Sequence, residues 1–389
     1  MRLGVYVQVP FCQTKCTYCN FHTGVFSSGL YASYVDAVCR EIDGYPRLLR
    51  ENGIAGVSEP LVDTVYVGGG TPSLLDPAAP RRILDRFRSA FHCEFEEVTL
   101  EADPETITEA KAAAWRESGF DRISMGAQSF EDRELKAAGR MHRREDIFNA
   151  VRILRGAGFR KISADLIAGL PHQTEQTWNA SLEDLLGLGL EHISIYMMEI
   201  DEGSRLGLEV LTGGTRYSAA ALPSDDAMAE FYERACIRLA DAGYVHYEIS
   251  NWALPGFESL HNLKYWRREP YFGFGAGAHS FNGFQRWANA HDPAAYAEAV
   301  NKGRFPVEQL EKLSREQALE EEFFLGLRQL AGIDLARIES KYGASLRPRI
   351  EQLRAQGLLE WDGALLRLAP GRLTVSNEVF VNLLQAQPE

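Results

Sequence analysis

Between residue 3 and about residue 200 the chain repeats one pattern, a short β-rich run, a turn and an amphipathic helical stretch. Residues 5–9, 64–67, 97–101, 123–125, 161–167 and 192–197 read as strands. Residues 30–50, 80–91, 108–118, 144–157 and 174–186 read as helices, with Gly119 suited to stop the third of them. Strands separated by helical crossovers cannot pair through tight hairpins, so the pattern predicts a parallel sheet. Six such units predict an α/β fold with an open, partial (β/α)6 barrel. Polar residues fall at the carboxyl ends of the strands, where barrels and open α/β sheets place their sites.

Beyond residue 200 the texture changes twice. A long helix is expected over 225–242, followed by a Tyr-, Trp- and Gly-rich region over 243–287. From Ser314 the order is a helix over 315–329, Gly-Ile-Asp-Leu, another helix, a helix over 346–356, then Gly357 and a hairpin. That order predicts a winged-helix-like α+β domain. The expected division is 1–220 for the barrel, 221–310 for a covering region and 311–389 for the accessory domain. Winged helices often bind DNA, but residues 311–389 carry 10 Lys/Arg against 12 Asp/Glu, and the whole chain has a net charge of −13. Phosphate binding needs a basic face, so no nucleic-acid partner is expected.

Cys12, Cys16 and Cys19 form a C-x3-C-x2-C triad directly after the first strand. A structural zinc takes four closed ligands, and a [4Fe–4S] cluster held by protein alone also takes four cysteines. Three leave one iron open to a small molecule. Cys39, Cys93 and Cys236 are isolated and are expected to be buried free thiols. Six cysteines in 389 residues are far from a disulfide scaffold, and a labile cluster needs a reducing compartment. No signal-peptide pattern precedes the first strand and no 18 apolar residues run together, so a cytosolic location is expected.

Gly68-Gly69-Gly70-Thr71-Pro72 follows the second strand, where missing side chains let the backbone approach a ligand. Glu101 ends the third strand, Gln128 follows the fourth, Arg140 lies in Gly-Arg-Met-His, and Asp165 lies in the fifth strand. Singly, each is an ordinary solvated or paired residue. Together they would set acceptors for an amine and for ribose hydroxyls, and a cation for a carboxylate, on one rim.

The triad resembles the cluster loop of radical S-adenosylmethionine (SAM) enzymes. Tyr6-Val-Gln-Val-Pro-Phe-Cys12, Val67-Gly-Gly-Gly-Thr-Pro-Ser73, Glu101-Ala-Asp-Pro-Glu105, Ser124-Met-Gly-Ala-Gln-Ser129 and Asp165-Leu-Ile-Ala-Gly-Leu-Pro171 extend the likeness. They resemble the oxygen-independent coproporphyrinogen oxidase group of radical SAM proteins along essentially the whole chain. The resemblance implies a [4Fe–4S] cluster on Cys12, Cys16 and Cys19 whose open iron chelates SAM. It implies that Tyr6 and Tyr18 flank cluster and SAM, and that Gly70, Thr71, Glu101, Gln128, Arg140 and Asp165 contact SAM.

Two families share this frame. The oxidase decarboxylates two propionates of coproporphyrinogen III, carries a further cysteine where this chain has Phe21, and has an N-terminal extension that this chain almost lacks. The HemW haem-chaperone family has an aromatic residue at that place and a His-Asn-x-x-Tyr-Trp motif, present as His261-Asn-Leu-Lys-Tyr-Trp266. Gly273-Phe-Gly-Ala-Gly-Ala-His-Ser280 and Leu373-Thr-Val-Ser-Asn-Glu-Val-Phe380 match it too. Gln8 stands where the wider group has histidine, and glutamine takes up no proton at neutral pH.

The expectation is therefore a haem chaperone that binds haem and passes it to apo-haemoproteins such as respiratory membrane complexes. The alternatives are a coproporphyrinogen III oxidase or a radical SAM enzyme with another substrate. Histidine is a common haem-iron ligand, so His261 is the expected haem contact, with Tyr265 and Trp266 covering the macrocycle. Lys264, Arg267 or Arg268 would pair with propionates, and His279 is the second candidate.

Overall fold

A computed structural model describes residues 1–57, 59–343 and 345–384. Residues 385–389 of the expected accessory domain lie outside the described residues. Six parallel strands are present: β1 Arg2–Val9, β2 Leu61–Gly69, β3 His92–Ala102, β4 Arg122–Gln128, β5 Lys161–Ala168 and β6 His192–Met197. They alternate with α1 Tyr31–Glu51, α2 Ala78–Ala90, α3 Glu109–Ser118, α4 Asp132–Ala137, α5 Arg144–Gly156 and α6 Glu175–Gly187. The sheet does not close, as the partial barrel requires. Gly119 takes φ 105° and stops α3, while the Thr108 hydroxyl accepts the Lys111 N–H at its start.

The later segment adds to both edges of the same sheet. After α7 Arg205–Leu211 and α8 Asp225–Asp241, strands β7 Val245–Glu248 and β8 Asn251–Ala253 extend the β6 edge antiparallel. Past α9 Leu260–Trp266, β9 Tyr271–Phe274 pairs parallel with β1. β10 His279–Phe281, β11 Gln285–Asn289 and, after α10 Pro293–Asn301, β12 Val307–Lys312 continue outward antiparallel. The described sheet has 12 strands, and five of the six β12 residues are exposed.

The remaining residues fold around a separate core that includes Phe323, Leu327, Ile338, Ile350, Leu353 and Leu366. α11 Arg315–Gly326, β13 Ile333–Asp334, α12 Leu335–Tyr342, α13 Arg347–Ala355 and the hairpin β14 Leu359–Trp361 and β15 Leu365–Leu368 follow in winged-helix order. The three strands pair as β13–β15–β14, and α14 Ser376–Leu384 ends the described chain. α11 stops three residues before the expected Gln329. The backbone there pairs with β7 instead, with the Ile249 N–H donating to Arg328 and the Leu330 N–H to Tyr247.

The six central strands differ from ordinary parallel strands, which bury aliphatic side chains on both faces. Here one face carries Val5, Val7, Val65, Val67, Leu100, Ile123, Ile162 and Ile193 against the helices. The other, concave face carries Tyr6, Thr64, Tyr66, Glu97, Thr99, Glu101, Arg122, Ser124, Ser163, Asp165, His192 and Ser194. Period-2 alternation in the sequence is the direct cause. Of the isolated thiols, Cys39 is buried, whereas Cys93 and Cys236 are only half-buried, a correction to the expectation.

The floor of the concave face is closed by the segment entering α9. Glu97 pairs with Arg122 at 3.0 Å, their side chains 1 % and 3 % exposed. Glu97 also accepts from the Leu260 and His261 N–H groups at the start of α9, and Arg122 donates to the Phe257 and Glu258 carbonyls. Removing one partner of a buried pair leaves an uncompensated charge. Arg122→Ala should therefore lower stability by about 3–5 kcal/mol, read as an earlier urea midpoint followed by tyrosine and tryptophan fluorescence. A midpoint unchanged from the parent would show that this pair does not hold the floor.

Candidate functional site

The loop after β1 is fastened at several points around the three cysteines. The Cys12 N–H donates to Gly24 and the Gly24 N–H to Pro10, which closes the loop base. The Thr17 N–H donates to Ala138, the Thr14 hydroxyl to Gly139, and the Leu206 N–H to Thr17, so α4 and α7 clamp the loop from outside. Cys12, Cys16 and Cys19 are all half-buried free thiols. Burial is the main cause that raises the Cys12 thiol, opposed by a hydrogen bond from Thr23, with smaller contributions from Cys19, Asp103 and Cys16.

The next strand ends meet this loop. The Thr71 N–H donates to the Phe11 carbonyl at 2.7 Å. A Cβ on Gly70 would stand 2.5 Å from that oxygen and 3.0 Å from Cys12 Sγ, so only glycine allows this approach. Arg140 lies between the triad and the rim. It reaches Cys16 Sγ at 3.5 Å, the Gly126 carbonyl at 2.9 Å and the Asp103 carboxylate. Asp103 in turn accepts from the Thr71 hydroxyl at 3.0 Å. Gln128 sits past a bulge in β4 with φ 65°, a left-handed conformation uncommon for a non-glycine residue and often seen at functional sites.

Glu101 and Asp165 project from β3 and β5 on the concave side, with β4 between them. Glu101 accepts from the Tyr66 hydroxyl and the Gly69 N–H, both at 2.8 Å. Burial pushes its carboxyl up to about 7, against those two hydrogen bonds. Burial also pushes Asp165 up to about 6, against a hydrogen bond from Ser194 and the charge of Arg140. Asp165 Oδ1 is buried without a hydrogen-bond partner among the described residues. An unsatisfied buried acceptor on the concave face suits a polar ligand that brings a donor.

Among the described residues, no three His, Cys, Asp or Glu side chains close around a single metal ion. The triad is thus not a ready-made zinc site. Its donors nevertheless fit an iron–sulfur cluster: three thiols on one clamped loop, a guanidinium beside one of them, and a bare Gly70 backbone beside another.

The structure brings together Cys12, Cys16, Cys19, Gly70, Thr71 and Arg140, with Glu101, Gln128 and Asp165 on the adjoining rim. Tyr18 lies within the triad loop and packs against the small cluster of Ala138, Ile167 and Leu206. Tyr6 lies deeper, stacked on Tyr66 at 5.9 Å, and donates to Gln8 at 2.8 Å. Asp103, which joins Thr71 to Arg140, was not singled out in sequence. Its signal was its place two residues past Glu101. Tyr66, one layer below, gave none beyond strand alternation.

His261 lies elsewhere, on the floor. Its ring is 1 % exposed, with Nδ1 at 2.9 Å from the Thr64 hydroxyl and Nε2 at 2.9 Å from the Tyr265 hydroxyl. Burial lowers its pKa to about 3, helped by Lys264, so it is neutral. Neither nitrogen is free for an iron in this arrangement. Lys264 is held by Asp63 and Glu269, and Arg268 by Glu321 and Glu322, so neither is available to a propionate. The partner of Arg267 is Gln329. His279 is exposed at the start of β10.

Because burial raises Glu101 in the folded state, its ionisation opposes folding. Its contribution is favourable at low pH and is lost as pH rises from about 4.5 to 7, a difference of about 3 kcal/mol. Glu101→Gln, which keeps an acceptor and takes no charge, should flatten this loss. Thermal unfolding across pH 5 to 8 should show a smaller fall for the variant than for the parent, and parallel curves would exclude an ionising Glu101.

Comparison with known proteins agrees with this geometry. The Radical SAM superfamily profile matches residues 6–185, and the HemN C-terminal domain profile matches residues 313–371. The heme chaperone HemW of Bacillus subtilis is 34% identical over 383 residues, covering 97% of this chain and 98% of that protein. The heme chaperone HemW of Mycobacterium tuberculosis is 36% identical over 387 residues, covering 98% and 94%. Mitochondrial radical S-adenosyl methionine domain-containing protein 1 of Bos taurus is 32% identical over 414 residues, covering 100% and 88%. In fold, the chain is similar to coproporphyrinogen III oxidase (HemN) of Escherichia coli, with a TM-score of 0.82 at 23% identity over 98% of this chain and 90% of that one. A clamped three-cysteine loop at the mouth of an open, polar-faced half-barrel, with near full-length HemW relatives at 34% and 36% identity, places this chain in the HemW family of radical SAM proteins.

Proposed function

We propose that this protein is a haem chaperone, which binds haem and hands it to apo-haemoproteins, respiratory membrane complexes among them. The observation that carries this reading is the end-to-end similarity to proteins named heme chaperone HemW. Phe21, 66% exposed where the oxidase group has a further cysteine, supports it over decarboxylation. Among the described residues, no helix is long and apolar enough to cross a membrane.

Cys12, Cys16 and Cys19 would hold a [4Fe–4S] cluster, which supplies an iron with an open coordination position. Gly70 and Thr71 leave backbone room beside it. Glu101 and Asp165 would accept hydrogen bonds from the amine and ribose of SAM, and Arg140 would hold a carboxylate or steady the Cys16 thiolate. Gln128, fixed in its unusual backbone conformation, would direct its amide to the same space. Tyr6 and Tyr66 would close the space beneath, and Tyr18 would shield the cluster side. His261 would act here as a wall of the floor, fixing Tyr265 and Thr64.

Anaerobic reconstitution should give about four irons per chain. Cys12→Ala, Cys16→Ala or Cys19→Ala should each lose the cluster with the fold kept by circular dichroism. A triple variant with full iron and sulfide would refute the ligand assignment. The reconstituted protein should bind haem, seen as a Soret shift, yet show no conversion of coproporphyrinogen III with SAM and a reductant. Repeated turnovers in that assay would establish the oxidase and overturn the chaperone reading.

A further inference from the structure

Three histidines outside the rim gather beside the cysteine loop. His22, three residues past Cys19, lies against His291 with ring centroids 4.0 Å apart and planes tilted by 37°. The Gly277 backbone closes the space beside them, where a Cβ would stand 3.2 Å from His291 Nδ1 and 3.8 Å from His22 Cβ. His291 Nδ1 is buried without a hydrogen-bond partner among the described residues. A buried imidazole nitrogen with no partner is a ligand atom in waiting or a cost to the fold. His279 completes the group, close enough that His22 and His291 both disfavour its protonation.

The surroundings suit a metalloporphyrin. Phe21 and Val25, 66% and 63% exposed, flank His22 in the same loop and offer apolar surface. Lys15, whose ammonium meets the Phe21 carbonyl at 3.4 Å, adds a cation near His22. Lys264 and Arg268 of the His-Asn-x-x-Tyr-Trp region, by contrast, are already paired with carboxylates, and the His261 nitrogens are engaged. Partial burial and the neighbouring His291 and Lys15 lower His22 from its ordinary imidazole range, which favours the neutral form that binds iron.

Resting on the haem-chaperone reading, we propose that His22, backed by His291, is the iron-ligating part of the haem site. His22 presents its imidazole from the exposed loop, His291 backs it, Phe21 and Val25 cover a porphyrin face, and Lys15 faces a propionate. Haem would then sit against the cysteine loop and not against the barrel floor.

The test uses cluster-loaded protein, so that free cysteines do not capture iron. Ferric haem and iron-free protoporphyrin IX are titrated against the parent, His22→Ala, His291→Ala and the double variant, with the distant surface change His92→Ala as control. The double variant should bind haem at least about tenfold more weakly and lose the parent's Soret position. Its affinity for iron-free protoporphyrin and its iron and sulfide content should stay at parent levels. A double variant with the parent's Soret band and haem affinity overturns the site while leaving the chaperone reading intact. A parent that binds no haem at all overturns the chaperone reading itself, and with it this site.

Discussion

A single buried carboxylate ties the two ends of this architecture together. Glu97 faces inward from β3, meets Arg122 of β4 and accepts from the backbone entering α9. A carboxylate shut away from water is tolerable only when charge and hydrogen bonds surround it. By satisfying it, residues 257–261 are drawn across the bottom of an otherwise open half-barrel. Ser163, His192 and Tyr247 continue that floor through contacts of 2.7 Å each. Everything polar above it, from Tyr6 and Tyr66 to Glu101 and Asp165, therefore faces one mouth, where the cysteine loop sits.

This division of labour accounts for what could be read directly from the residues. The six βα units were legible because their strands alternate faithfully, and a polar inner face over an aliphatic outer one leaves a period-2 trace. The winged-helix order was legible because its helix and hairpin spacings are local. The triad, Gly70, Thr71, Glu101, Arg140 and Asp165 were legible through motifs at strand ends. Less visible was the segment from 245 to 312, whose short strands join both edges of the sheet. Pairings between residues such as Gly4 and Tyr271 leave no local signature.

His261 shows the opposite failing. Its motif marks the residue as special without saying why, and chemistry alone suggests a metal ligand. The structure gives that histidine to Thr64 and Tyr265, and the pattern His-Asn-x-x-Tyr-Trp then spells a helix turn in which positions i and i+4 meet on one face. His22 and His291 make the reverse point. They are 269 residues apart and carry no shared motif, and only the folded chain brings their rings together. Asp103 belongs with them, since its link between Thr71 and Arg140 joins residues that follow β2, β3 and α4.

The ends of the sheet bear on how such a protein avoids pairing edge to edge with other chains. A long row of strands offers unpaired backbone at each margin, a template for another chain. At one margin β12 reads Val-Glu-Gln-Leu-Glu-Lys and is nearly all exposed, so an incoming strand would have to bury three charged side chains. At the other, Glu248 pairs with Gln329 of the C-terminal domain, which occupies the place a stranger would take. The accessory domain thereby doubles as a selvedge: cutting it away would bare β7 and turn a finished edge into an adhesive one.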